Sequence, residues 1–117
     1  APRAAAFNEA GAIYRQKAAD ANASTGADTW QSYDVWFTAP QWQGDKKVAD
    51  ARMTVVWNGV LVHDDVAIPK PTGMSTGERP GPLPILLQSH ASDCPEPVRF
   101  RNIWAAEGAD MPPRPVR

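Results

Sequence analysis

Twelve prolines and eight glycines are spread through 117 residues, which leaves few stretches long enough for an ordinary helix. Proline removes a backbone donor and clashes with the preceding turn, and glycine loses more conformational freedom in a helix than any other residue. Such a chain favours short strands separated by turns. Its length suits one domain with one modest core, burying about two thirds of the surface that the unfolded chain exposes.

Twelve basic and thirteen acidic side chains give a formal net charge of −1. No broad positive field is available for a phosphate backbone or an anionic membrane, so no nucleic-acid partner is expected. No apolar run approaches the roughly 20 residues of a membrane helix, and no direct membrane span is expected. The start, Ala1-Pro2-Arg3, lacks the apolar core of a signal peptide and has no methionine, which suggests removal of a signal, pro-segment or longer N-terminal part. Cys94 stands alone between Asp93 and Pro95, so an internal disulfide is excluded and a tolerated loop thiol is the expected role. His63 and His90 are the two histidines, without the spacing or cysteine partners of a metal centre, and neither metal nor cofactor is expected.

The alanine-rich opening, residues 4–7, and residues 16–21 are the two places where a short helix is conceivable. From Trp30 the pattern changes to alternation, with Tyr33, Val35 and Phe37 against Ser32, Asp34 and Trp36, and Pro40 closing a half-buried strand. Residues 41–50, carrying Gly44-Asp45-Lys46-Lys47, read as a polar surface connection. Residues 51–57 and 60–63 flank Asn58-Gly59, a dipeptide suited to a type I′ turn, and predict a β-hairpin. Both arms are apolar at nearly every position, so this hairpin is expected to be covered on both faces, with Trp57 either packed or exposed as a platform. Residues 69–84 hold five prolines and three glycines and predict a long loop, followed by short strands at 83–88 and 98–104. The run Met111-Pro112-Pro113-Arg114-Pro115-Val116-Arg117 is proline-rich and is expected to be extended, either docked on a partner or mobile.

The chemistry-bearing residues gather late in the chain. His90 precedes Val98-Arg99-Phe100-Arg101-Asn102-Ile103-Trp104, a strand-like run with Arg99 and Arg101 on one face and Val98, Phe100 and Trp104 on the other. The bland reading of each is also available. His90 can brace its loop, the arginines can form a solvated face paired with acids such as Asp34 or Asp64, Trp30, Trp36 and Trp104 can be core aromatics, and His63 can be a strand-end residue.

Five blocks in order, Gly11-Ala12-Ile13-Tyr14, the run from Trp30 to Pro40, the run from Asn58 to Asp64, Gly81-Pro82-Leu83 and the run from Val98 to Trp104, make the chain resemble the 3-keto-disaccharide hydrolase-like domains. The resemblance implies an all-β fold, an antiparallel β-sandwich of the concanavalin A-like (LamG-like) jelly-roll type, in a periplasmic or extracellular bacterial protein. It implies an N-terminal arm at residues 1–10, a sandwich portion at residues 11–106 and a proline-rich tail at residues 107–117. Family members carry further strands ahead of the Gly11 block. The sandwich is therefore expected to be incomplete without strands from another chain or a second copy, since open edges and an uncovered apolar face are costly in water. Two departures stand out: Ser89 and Ala91 replace the aspartate and glycine of the family's Leu-Gln-Asp-His-Gly, and Trp57 stands where histidine is common.

The implied reaction is cleavage of a 3-keto-glycoside. A ketone at C3 acidifies the hydrogen at C2; a base removes it, an enolate forms, the glycosidic oxygen leaves, and water adds back. The resemblance gives His90 the role of base or acid, Arg99 and Arg101 that of stabilising the enolate or binding hydroxyls, and Trp57 or Trp104 that of stacking on the sugar. The competing expectation is a non-catalytic β-sandwich subunit that assembles with other proteins and has lost the sugar site.

Overall fold

The computed structural model describes residues 4–6, 9–72, 77–88 and 98–117. Among these the protein is all-β: the regular elements are antiparallel strands and a single 3-10 turn, and no α-helix forms. Two compact units are present, Ala1–Pro80 with Arg114–Arg117, and Gly81–Pro113.

In the first unit β1 (Tyr33–Thr38), β4 (Ala51–Trp57) and β5 (Val60–Ile68) form a sheet in the order β1-β4-β5. The β4–β5 hairpin turns at Asn58 and Gly59, both at positive φ (49° and 80°), as a type I′ turn requires. β4 is the central strand, and its neighbours Thr54 and Val55, which face opposite sides, are both buried, in keeping with an apolar hairpin covered on two faces. β5 carries two bulges, because β5 spends one residue more than β4 between the pairs Val56–Leu61 and Val55–His63, and again up to Met53–Val66. The first extra residue is Val62. A bulge lets consecutive side chains turn to the same side, and here Val62 packs with Val55 and Trp57 while His63 reaches the Gly11 carbonyl.

Residues 41–50 are more ordered than a polar connection. β2 (Gln41–Gln43) and β3 (Lys46–Ala49) pair as a second hairpin around Gly44, which takes φ 58°. Gly44 and Asp45 do form the turn, but Gln41 and Gln43 flank Trp42 in β2, Trp42 pairs with Lys47 in β3, and Lys47 is tied down by Glu78 and the Pro69 carbonyl, each at 2.6 Å.

The two conceivable helices do not form in the described residues. Arg15 at φ 57° and a two-way backbone bridge between Ile13 and Lys17 close a tight loop that ends any helical run. Ala19 is spent instead on close packing: it sits with Val55, Trp57 and Val62 in the core, and the Asp20 N–H donates to the Val62 carbonyl at 2.9 Å. Small residues here are a lid for a large ring.

β1 departs from expectation in its burial. Tyr33, Val35 and Phe37 pair directly with Trp57, Val55 and Met53 and so share their face, yet Val35 and Phe37 are 51% and 52% exposed. The segment around Gly11 and Ala19 covers β4 and β5 and stops short of β1. Within the first unit the chain end is docked: Arg114 pairs with Asp64 at 3.1 Å, and Arg117 pairs with Asp20 and donates to the Leu61 carbonyl.

In the second unit the strands expected at 83–88 and 98–104 are absent; these residues are irregular and exposed, and among the described residues the single regular element is the 3-10 turn Gly108–Asp110. An apolar segment becomes a strand only with a partner ladder. Asn102 at φ 55° also breaks the alternation between Arg101 and Trp104.

Candidate functional site

The sequence candidates fall in different places. Arg99, Arg101 and Trp104 lie in the second unit on one irregular, exposed segment, with Trp104 68% exposed and its ring available for stacking. Since Asn102 interrupts the period of two, the arginines and Trp104 are not sorted onto opposite faces as a strand would sort them. His90 lies outside the described residues, as do Ser89, Ala91 and Cys94.

Trp57 belongs to the first unit and is 1% exposed. Tyr33 stacks on it with ring centroids 5.8 Å apart, Gly11 and Ala19 close over it, and its indole N–H donates to Gln31 Oε1 at 3.0 Å. In this arrangement the ring offers no face to a sugar. It is the centre of one of the unit's two buried clusters.

His63 gave no such signal in the sequence, where it read as a strand-end residue; it is instead fully buried within β5. Its Nε2–H donates to the Gly11 carbonyl at 2.6 Å, and Nδ1 meets no donor among the described residues. Burial pushes the imidazole below its ordinary value, the Gly11 carbonyl opposes this, and the facing charges Lys17 and Asp20 act in opposite directions. A neutral, enclosed imidazole of this kind latches the N-terminal segment to the sheet. What the sequence lacked was the bulge: without it, no pattern turns His63 and Val62 to one side.

The pH consequence has a definite sign. An imidazole whose folded value lies below 6.5 takes up its proton first in the unfolded chain, so stability is fully present above about pH 6.5 and is lost as pH falls toward the folded value. The expected slope in that window is up to about 1.4 kcal/mol per pH unit, and His63→Gln should flatten it. Denaturant melts between pH 7.5 and 5 read this directly, and equal slopes in both proteins would remove the latch. Asp20, lowered by Lys17 and then Arg117, and Asp65, lowered by Arg52, contribute the same sign of loss only below the carboxylate range.

Several ionic groups of the first unit are paired. Arg52 binds the Asp65 carboxylate at 2.9 Å and its backbone carbonyl, Arg114 holds Asp64, and the Asp65 N–H donates to buried Thr54 Oγ1 at 2.9 Å. The Asp65 carboxyl, held low by Arg52, is a weak base, and no group of three or more metal-ligating side chains occurs among the described residues. A base for carbon acid chemistry is therefore not supplied by Asp65.

The sequence pattern of the family described as the 3-keto-alpha-glucoside-1,2-lyase-like domain matches residues 2–106. The chain belongs to this family. The match runs through both compact units and takes in the Arg99–Trp104 segment and His90. It makes this lyase-like domain a carbohydrate-related one. Neither a curated protein nor a solved structure matches the chain.

Proposed function

We propose that this lyase-like domain cleaves 3-keto-glycosides by elimination and hydration. His90 takes the proton from C2; the C–H electron pair becomes the enolate of the C3 ketone and then the C1–C2 double bond as the glycosidic oxygen departs with a proton. Water added across that double bond gives the free 3-keto sugar. Arg99 and Arg101 carry the enolate charge and Trp104 stacks on the ring. The observation that supports this reading best is the family match, which spans all four residues.

The test is turnover of a 3-keto-glucoside by the purified chain, followed by sugar release and by deuterium uptake at C2 in heavy water. His90→Ala is expected to lower kcat/KM by about 10²–10⁴-fold, the usual worth of a positioned base. Turnover unchanged by that substitution would reject His90.

A second reading, a non-catalytic subunit that assembles with another chain or a second copy, is favoured by the half-exposed apolar face of Tyr33, Val35 and Phe37 and by Ser89 in place of the aspartate. No turnover together with stable co-purification of a partner is its expected outcome.

A further inference from the structure

The outer edge of β1 carries hydrogen-bonding capacity that the sugar chemistry does not use. Which of its backbone groups face outward follows from the β1–β4 ladder. The Asn58 N–H donates to the Ser32 carbonyl at 2.9 Å, so Ser32 turns its carbonyl toward β4. That role alternates along an antiparallel ladder, and β1 keeps an unbroken register with β4 from Tyr33–Trp57 to Thr38–Arg52. Asp34, Trp36 and Thr38 therefore bond to β4, whereas Tyr33, Val35 and Phe37 point N–H and C=O away from it. Among the described residues these outward groups meet no partner, and the three side chains beside them are half exposed.

The side chains then select what fits. Tyr33, Val35 and Phe37 read aromatic, β-branched, aromatic, the same in both directions about Val35. A second copy laid antiparallel along β1, with the two-fold axis at Val35, sets Val35 against Val35, Tyr33 against Phe37 and Asp34 against Trp36. Every outward N–H then meets an outward C=O, the apolar side chains share one face, and no like charges oppose. The adjacent two-fold registers are poorer: centred on Asp34 they oppose two carboxylates, and centred on Trp36 they set Tyr33 against Ala39, beyond the strand. We infer that β1 is a homodimer interface, where two copies join into one continuous antiparallel sheet through Tyr33, Val35 and Phe37. The dimer rests on the assembly half of the second reading above and is independent of turnover at His90. Six residues a side fall short of the about 20–30 of a stable interface, so the expected Kd is weak, on the order of 0.1 mM.

The experiment is sedimentation of the full chain from about 0.01 to 1 mM, with amide hydrogen exchange over the same range. The mass is expected to rise from monomer toward dimer. The Tyr33, Val35 and Phe37 amides should gain protection severalfold with concentration, while those of Asp34 and Trp36, bonded to β4, are protected throughout. Val35→Pro removes an outward donor at an edge, where proline is tolerated, and Val35→Lys opposes two cations; each should weaken association at least about tenfold with a cooperative melt retained. With Cys94→Ser in place, Val35→Cys should oxidise to a linked dimer and Asp34→Cys should not, because only the residue on the axis meets itself at about 5.5 Å between Cα atoms. A monomer throughout, association unchanged by Val35→Pro and Val35→Lys, or equal cross-linking at both cysteine positions would each overturn the dimer. A monomer that keeps a foreign chain through purification would overturn it while leaving the assembly reading standing.

Discussion

Trp57→Ala is expected to cost about 3–5 kcal/mol, the range for truncating a fully buried large aromatic, and to lower the melting temperature by about 10–25 °C. The ring is the largest member of one of the first unit's two buried clusters and ties together β1 through Tyr33, the N-terminal segment through Gly11 and Ala19, and Gln31 through the indole N–H. Its removal leaves a void beneath a lid made of Gly11 and Ala19, a hydrogen and a methyl group, which are too small to collapse into it. Far-UV circular dichroism melts measure the effect, and a shift below about 5 °C would contradict the central position of the ring. Trp57→Phe should recover part of the loss by restoring the stack on Tyr33 while leaving the Gln31 bond unmade.

The opposite change, crowding the same contact, is expected to be nearly as damaging. A Cβ on Gly11 would sit 2.6 Å from two ring carbons of Trp57 and 3.4 Å from the Ala19 methyl, and Gly11 is at φ 81°, where side chains are strained. Gly11→Ala therefore combines a left-handed penalty of about 1 kcal/mol with overpacking of about 1–3 kcal/mol, for a total of about 2–4 kcal/mol. The ring cannot swing away, being held by Gln31 and Tyr33 on its other sides. A double-mutant cycle with Trp57→Leu isolates the clash: the two substitutions together should cost clearly less than their sum, and strict additivity would mean that Gly11 and the ring do not meet.

The turn chemistry of the fold was legible in the sequence, because Asn58-Gly59 carries its own backbone requirement and β1 its own alternation. The all-β class followed from the same local signals. What was not legible depended on partners distant in sequence. Ala19 looked helical because helix propensity says nothing of a tryptophan waiting across the chain, and residues 83–88 and 98–104 looked like strands because apolar alternation says nothing of whether a ladder exists to receive it. Of the site residues, Arg99, Arg101 and Trp104 were found on one exposed segment, whereas Trp57 was consumed by the core and His63 was drawn inward by a bulge that no residue pattern announces.

The sheet is finished on one flank and unfinished on the other. Along β5 the carbonyls of Leu61 and Val62 are already engaged by Arg117 and Asp20, and two irregularities spoil the line that an incoming strand would follow. β1 carries no proline, no lysine and no such irregularity. Within this sheet the described residues leave β1 as the edge that a strand from elsewhere would meet, and two copies joined edge to edge there would form a closed pair.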